Sequence, residues 1–148
     1  MSTLDRAIAI AAVAHAGQTD KVGEPYIAHP MRLMARFLAA GEQQLAIVAA
    51  LHDVVEDSEW SLEQLAEEGF SLEIVSAIDA LTRRDGEEYL AYVRRAAIDR
   101  LARPVKEADL ADNSDEKRLS WLPEADQDRL RRQYASALQT LATVKETP

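Results

Sequence analysis

The strictest condition on how this chain can fold lies in residues 49–57, Ala49-Ala50-Leu51-His52-Asp53-Val54-Val55-Glu56-Asp57. One imidazole and three carboxylates fall within six positions of a stretch that is otherwise apolar and helical in character. At about 100° per residue, His52, Asp53, Glu56 and Asp57 would share about 140° of helix arc. Asp53 and Asp57 would then lie at i,i+4, where like charges repel. Such a face is tolerable only if a cation or a shared proton offsets it, and a metal ion is the simplest candidate.

The surrounding pattern is helical throughout. A first helix is expected from about Thr3 to Gly17, with Leu4, Ile8, Ala11 and His15 on one face. Residues 18–28 read as a loop, because Gly23 and Pro25 interrupt any period. His29 and Pro30 open a second helix, whose stripe of Leu33, Met34, Phe37 and Leu38 ends at Gly41. The third should run unbroken from Glu42 to Val55, with Leu45, Val48, Ala49 and His52 facing inward. Ser61 and Gln64 form a capping-box pattern at the start of a short helix that stops at Gly69. Further helices are expected from Ser71, from Glu87 to Ile98, from Pro104 to about Asn113, and from Pro123 onward. Asp109 shares a face with Val105 and Ala108, and the last helix should bury Leu130, Tyr134, Leu138 and Leu141.

With only five glycines and five prolines, and alanine used heavily, composition also favours helix over strand. The expected architecture is all-α, a compact helical bundle forming one domain over residues 1–148. The chain has no cysteine, which excludes a disulfide framework, a zinc–thiolate site and a thiol nucleophile. A net charge of −9 argues against binding a nucleic-acid polymer. It leaves room for a small phosphorylated ligand, since a bound divalent cation reverses the local sign. No apolar run approaches about 18 residues and no basic leader precedes an apolar stretch, so a cytoplasmic protein without membrane contact is expected.

The three histidines, His15, His29 and His52, would each read singly as hydrogen-bonded core residues. Taken jointly, His15, His52, Asp53 and Asp109 would bring two nitrogens and two oxygens from three helices to one cation. Imidazole with carboxylate suits Mn²⁺ or Fe²⁺, and also Zn²⁺. Three histidines are too few for a histidine-rich two-metal cluster, so a single metal is expected.

The order of these motifs resembles a known family. Ala14-His15-Ala16-Gly17-Gln18, Gly23-Glu24-Pro25-Tyr26-Ile27-Ala28-His29-Pro30, the stretch Ala50–Asp57, and Val105-Lys106-Glu107-Ala108-Asp109-Leu110-Ala111-Asp112-Asn113 look like the successive motifs of HD-domain phosphohydrolases. The branch most similar is the hydrolase domain of RelA/SpoT proteins and its small stand-alone relatives, which remove the 3′-pyrophosphate of the alarmones ppGpp and pppGpp. The resemblance implies Mn²⁺ on His15, His52, Asp53 and Asp109, with Glu56 and Asp57 assisting water attack. It further implies substrate contacts from Asn113 and Lys21, with His29 bracing the site. It departs from the family at Asp20, where an arginine is usual, and at Glu107, where the family has an apolar residue.

The function so implied is metal-dependent hydrolysis of a small phosphorylated nucleotide, (p)ppGpp foremost, within the stringent response. Alternatives are an HD-domain nucleotidase or phosphatase with another substrate, and a non-catalytic metal-stabilised binding protein. Lys106, Arg83 and Arg84 are weaker candidates for stabilising phosphoryl charge.

Overall fold

The computed structural model describes residues 2–144, and among these every regular element is helical. In chain order they are α1 (Leu4–Ala14), α2 (Ala28–Ala39), α3 (Gln43–Leu51), α4 (Val54–Asp57) and α5 (Leu62–Glu67). There follow α6 (Leu72–Ala80), α7 (Tyr89–Ile98), α8 (Ala102–Asn113), α9 (Glu116–Leu119) and α10 (Glu124–Thr143). A lone antiparallel bridge between Thr19 and Pro25 pinches the loop between α1 and α2.

Local chemistry explains most of the boundaries. The Ser61–Gln64 capping box is formed in both directions at α5, and Ser71 accepts from the backbone N–H of Ile74 at α6. Gly17 and Gly41, placed just beyond α1 and α2, take φ of +79° and +78°, where a side chain would be strained. Pro30 and Pro104 lie in the first turns of α2 and α8, where a missing N–H leaves no helical bond unmade. Helix α8 starts two residues before Pro104 because the Asp99 carboxylate accepts from the N–H groups of Leu101 and Ala102 at 2.9 and 2.8 Å.

Helix α3 is the axis of the fold. Ala46 through Leu51 are all buried, and the helix packs against α1, α2, α6 and α8. From Leu45 on, the helix is apolar all round, and such a stretch belongs inside. Around it gathers a core that includes Ile10, Leu33, Val48, Leu65, Ile78 and Val105. A second cluster joins α7, α8 and α10 through Val93, Leu110, Leu130, Tyr134 and Leu141. Helix α8 contributes to both, so Lys106 and Asp109 sit at the seam. Truncating Leu51, fully buried one residue before His52, is expected to cost about 2–5 kcal/mol, measured by denaturant unfolding of Leu51→Ala.

The structure departs from the expected pattern in four places. The helix expected over Glu42–Val55 breaks at His52–Asp53 and resumes as α4. In an unbroken helix the carbonyl of Ala49 would accept from the N–H of Asp53; here it accepts from His52 Nδ1 at 2.6 Å. On α1 the fully buried residues are Ala7, Ile10 and Ala11, so the inward face is rotated from the stripe through Leu4 and Ile8. On α10, Leu138 is exposed and Ala137 takes the inward place. Helix α9 lies in a segment with no evident helical period.

The turn between α6 and α7 is tied by Arg95. Its guanidinium donates to the carbonyls of Asp79 and Thr82 at 2.9 and 2.8 Å and pairs with Glu87 at 2.8 Å. Hydrogen bonds from Arg95 and from the backbone N–H of Arg84 hold the Glu87 carboxyl down to about 2. A depressed carboxyl pKa stabilises the fold above the unfolded value of 4.5 and ceases to do so as pH falls toward 2. The melting temperature of Glu87→Gln should therefore lie below that of wild type at neutral pH, with the gap closing as pH drops below 4.5.

Candidate metal centre and active site

The helix break turns His52 and Asp53 inward at the end of α3, where α2 and α8 present further polar groups. His29, in the first turn of α2, is buried, as are His52 and Asp109. His29 Nε2 lies 2.8 Å from Asp109 Oδ1 and 3.9 Å from Asp53 Oδ2. His52 Nε2 lies 2.9 Å from Asp53 Oδ2 and 3.5 Å from Asp109 Oδ1. One donor atom from each of His29, His52, Asp53 and Asp109 falls within 4.8 Å of all the others.

Of the four ligands expected from the sequence, His52, Asp53 and Asp109 are thus brought together. His15 is not in the group, and His29, expected only to brace it, takes that place. The reason is local. His15 caps α1, its Nδ1 lies 2.8 Å from Gln18 Oε1, and its ring packs against Tyr26 at 5.0 Å between centroids. The Gln18 amide reaches on to donate to the carbonyl of Asp57 at 2.8 Å. His15 therefore braces the segment bearing Asp57. Burial lowers its pKa, so the ring is neutral at pH 7.

The donor set fits a divalent cation. With Nδ1–H of His52 given to the Ala49 carbonyl, Nε2 carries a lone pair, and this buried atom has no hydrogen-bond partner among the described residues. A lone pair facing two carboxylate oxygens is unfavourable until a proton or a metal ion lies between them. Burial disfavours the charged ring, but Asp53 and Asp109 outweigh it and raise the His52 pKa well above its ordinary value. The pull on a proton is the pull a cation would feel.

Asp112 and Tyr26 carried no functional signal in the sequence beyond their place in a motif. Asp112, one turn beyond Asp109 on α8, takes His29 Nδ1 at 2.6 Å and is itself held by Arg32 at 2.8 Å and Arg118 at 3.2 Å. These hydrogen bonds outweigh burial and hold its carboxyl far below the usual range. Tyr26 donates its hydroxyl to Asp53 Oδ2. Lys106 is buried with its ammonium on Asp109 Oδ2 at 3.0 Å.

Glu56 and Asp57 project from α4 at the rim, exposed to solvent, and with Asp53 they form a second close group of carboxylates. Partial burial of the carboxyl, then the charges of Asp53 and Glu56, push Asp57 up to about 6. Burial likewise raises Glu56, whose Oε1 accepts from the backbone N–H of Arg83 at 2.8 Å.

A cavity of about 300 Å³ opens beside the donor group. Tyr26, His29 and Asn113 line it, and Asn113 also donates to Asp109 Oδ1 at 3.1 Å. Lys21, Arg32 and Arg118 bring positive charge to its walls, and Leu119, Leu122, Leu130 and Tyr134 an apolar shelf. Asp20 lines it too, with Oδ1 accepting from the N–H groups of Val22 and Glu24 and so shaping the loop.

Fold and donor group together define a helical protein with a buried site of two histidines and two aspartates suited to a divalent metal. The chain belongs to the HD domain family, whose model matches residues 7–146. A probable GTP pyrophosphokinase of Mycobacterium leprae is 32% identical over 96% of this chain, which spans 19% of that protein's length. A guanosine-3′,5′-bis(diphosphate) 3′-pyrophosphohydrolase of Haemophilus influenzae is 39% identical over 51% of this chain and 11% of its own. A solved structure reported as a metazoan ortholog of SpoT that hydrolyzes ppGpp shares the fold, with a TM-score of 0.80. It is 20% identical and covers 98% of this chain and 88% of that one. Among the described residues, no helix is long and apolar enough to cross a membrane.

Proposed function

We propose that this chain is a Mn²⁺-dependent phosphohydrolase that removes the 3′-pyrophosphate from guanosine 3′,5′-bis(diphosphate). The observation that carries the reading is the juxtaposition of the buried His29–His52–Asp53–Asp109 group, the Glu56–Asp57 pair and a cavity large enough for a small ligand. The relatives named above for this hydrolysis support the choice of substrate.

His29, His52, Asp53 and Asp109 would hold the cation. When bound, a divalent cation lowers the pKa of water and neutralises charge on phosphoryl oxygens. Asp112 and the Ala49 carbonyl fix the two imidazoles from behind, which keeps each Nε2 turned to the site. Tyr26 anchors Asp53 by donating to Oδ2, the oxygen that faces the two imidazoles. Asp57, poised near 6, accepts the proton of the attacking water, with Glu56 beside it. As the new P–O bond forms, the bond to the 3′ oxygen breaks, and that oxygen takes up a proton as pyrophosphate leaves. Lys21, Arg118 and Asn113, on the cavity walls, would meet the remaining phosphates and the ribose.

A second reading, hydrolysis of a different nucleotide by the same chemistry, is favoured by Asp20, a carboxylate on the cavity wall where an arginine is usual in the family. Metal-loaded protein incubated with ppGpp, pppGpp, NADPH and nucleoside monophosphates separates the two. Pyrophosphate released from ppGpp is the expected product. Inorganic phosphate from another member would favour the second reading, and no product from any member would overturn both.

A further inference from the structure

Lys106 is a fixed charge inside the donor group's supporting shell. It is 5% exposed, and its Nζ lies 3.0 Å from Asp109 Oδ2 and 3.2 Å from the Tyr92 hydroxyl. The hydroxyl in turn donates to the carbonyl of Leu81 at 2.9 Å, and the ammonium stands 4.7 Å from the centroid of the Tyr92 ring. A chain of contacts therefore runs from the end of α6, through α7, to Asp109 on α8. Burial alone would lower the ammonium's pKa, but the charge of Asp109 outweighs it, and Lys106 stays protonated.

The two oxygens of Asp109 are consequently divided. Oδ2 belongs to Lys106, whereas Oδ1 faces His29 Nε2 at 2.8 Å and His52 Nε2 at 3.5 Å and accepts from Asn113 at 3.1 Å. We propose that Lys106 is a positioning residue of the metal centre: by occupying Oδ2 it leaves Asp109 a single oxygen with which to meet a cation. This rests on the reading of His29, His52, Asp53 and Asp109 as the ligand set.

The consequence is selectivity among divalent ions. Large ions such as Ca²⁺ favour many oxygens and accept bidentate carboxylates, whereas smaller ions keep six positions. A carboxylate locked to one free oxygen therefore disfavours Ca²⁺. The ammonium also repels any cation nearby, an effect that low dielectric strengthens. Without it, Asp109 is free to turn both oxygens to the ion, and the repulsion is gone.

The test is the ratio of Ca²⁺ to Mn²⁺ affinity, measured by titration calorimetry on the full chain, wild type against Lys106→Met. The ratio should shift toward Ca²⁺ by at least about tenfold, since the freed oxygen adds a ligand that Ca²⁺ uses best. A purely structural lysine would weaken both ions in parallel, and that result, or an unchanged ratio, overturns the proposal. If Lys106→Met does not fold, Lys106→Leu, which likewise has no donor for Oδ2, is measured for the same ratio with the same two outcomes. Wild-type protein that binds neither ion would overturn the ligand set itself, and the role of Lys106 with it.

Discussion

His29→Ala is expected to weaken Mn²⁺ binding by at least about 100-fold, the upper end of what losing a mere supporting partner of a metal site costs, and to abolish turnover. His15→Ala is expected to keep the metal, with affinity reduced less than about tenfold, because His15 lies outside the donor group and braces it through Gln18 and Tyr26, although its Nε2 is, like that of His52, buried without a partner among the described residues. Metal content after dialysis, measured beside turnover, separates the two variants. The contrast is informative because both histidines are buried. If His15→Ala lost the metal and His29→Ala kept it, the grouping of donor atoms would not be the one that binds.

Glu56→Gln and Asp57→Asn are expected to lower kcat by about 10²–10⁴ while leaving the metal in place, since each removes a proton acceptor without removing a proposed ligand. Both substitutions preserve shape, and both side chains are exposed on α4, so the fold should be unaffected. Each also relieves repulsion among the three carboxylates at the rim, so metal-free variants should melt no lower than wild type at pH 7. The sign follows from the raised pKa of Asp57. A carboxyl pushed from 3.8 to about 6 binds its proton more tightly in the folded state, so its ionised form weakens the fold as pH rises through that window. A variant with full activity would remove that residue from the proton transfer.

Much of this was legible in the residues. Helical periodicity, Gly17 and Gly41 as stops and the Ser61 capping box placed most elements, because each depends on neighbours within a turn. The acids and the histidine of residues 49–57 marked the place where the donor groups gather, although for a reason that holds only in part. They do not share one unbroken helical face; His52 takes the Ala49 carbonyl for itself and breaks the helix there. A side chain competing with the backbone leaves no trace in hydrophobic period. The exchange of His15 for His29 has a similar origin. His15 continues an apolar stripe, which makes it conspicuous, whereas His29 follows a loop whose path no periodicity describes. Only contacts distant in sequence, His29 with Asp109 and Asp112, decide which ring enters the group. Lys106 shows the same limit, since its charge suggested phosphate binding until its partners, Asp109 and Tyr92, were in view.

Pulsed electron paramagnetic resonance of Mn²⁺-loaded protein carrying ¹⁵N-labelled histidine addresses the centre itself. The predicted result is one Mn²⁺ per chain coupled to two histidine nitrogens, a single coupling remaining in His29→Ala or His52→Ala and both remaining in His15→Ala. Mn²⁺ with no histidine coupling, or a coupling that disappears only in His15→Ala, would contradict it.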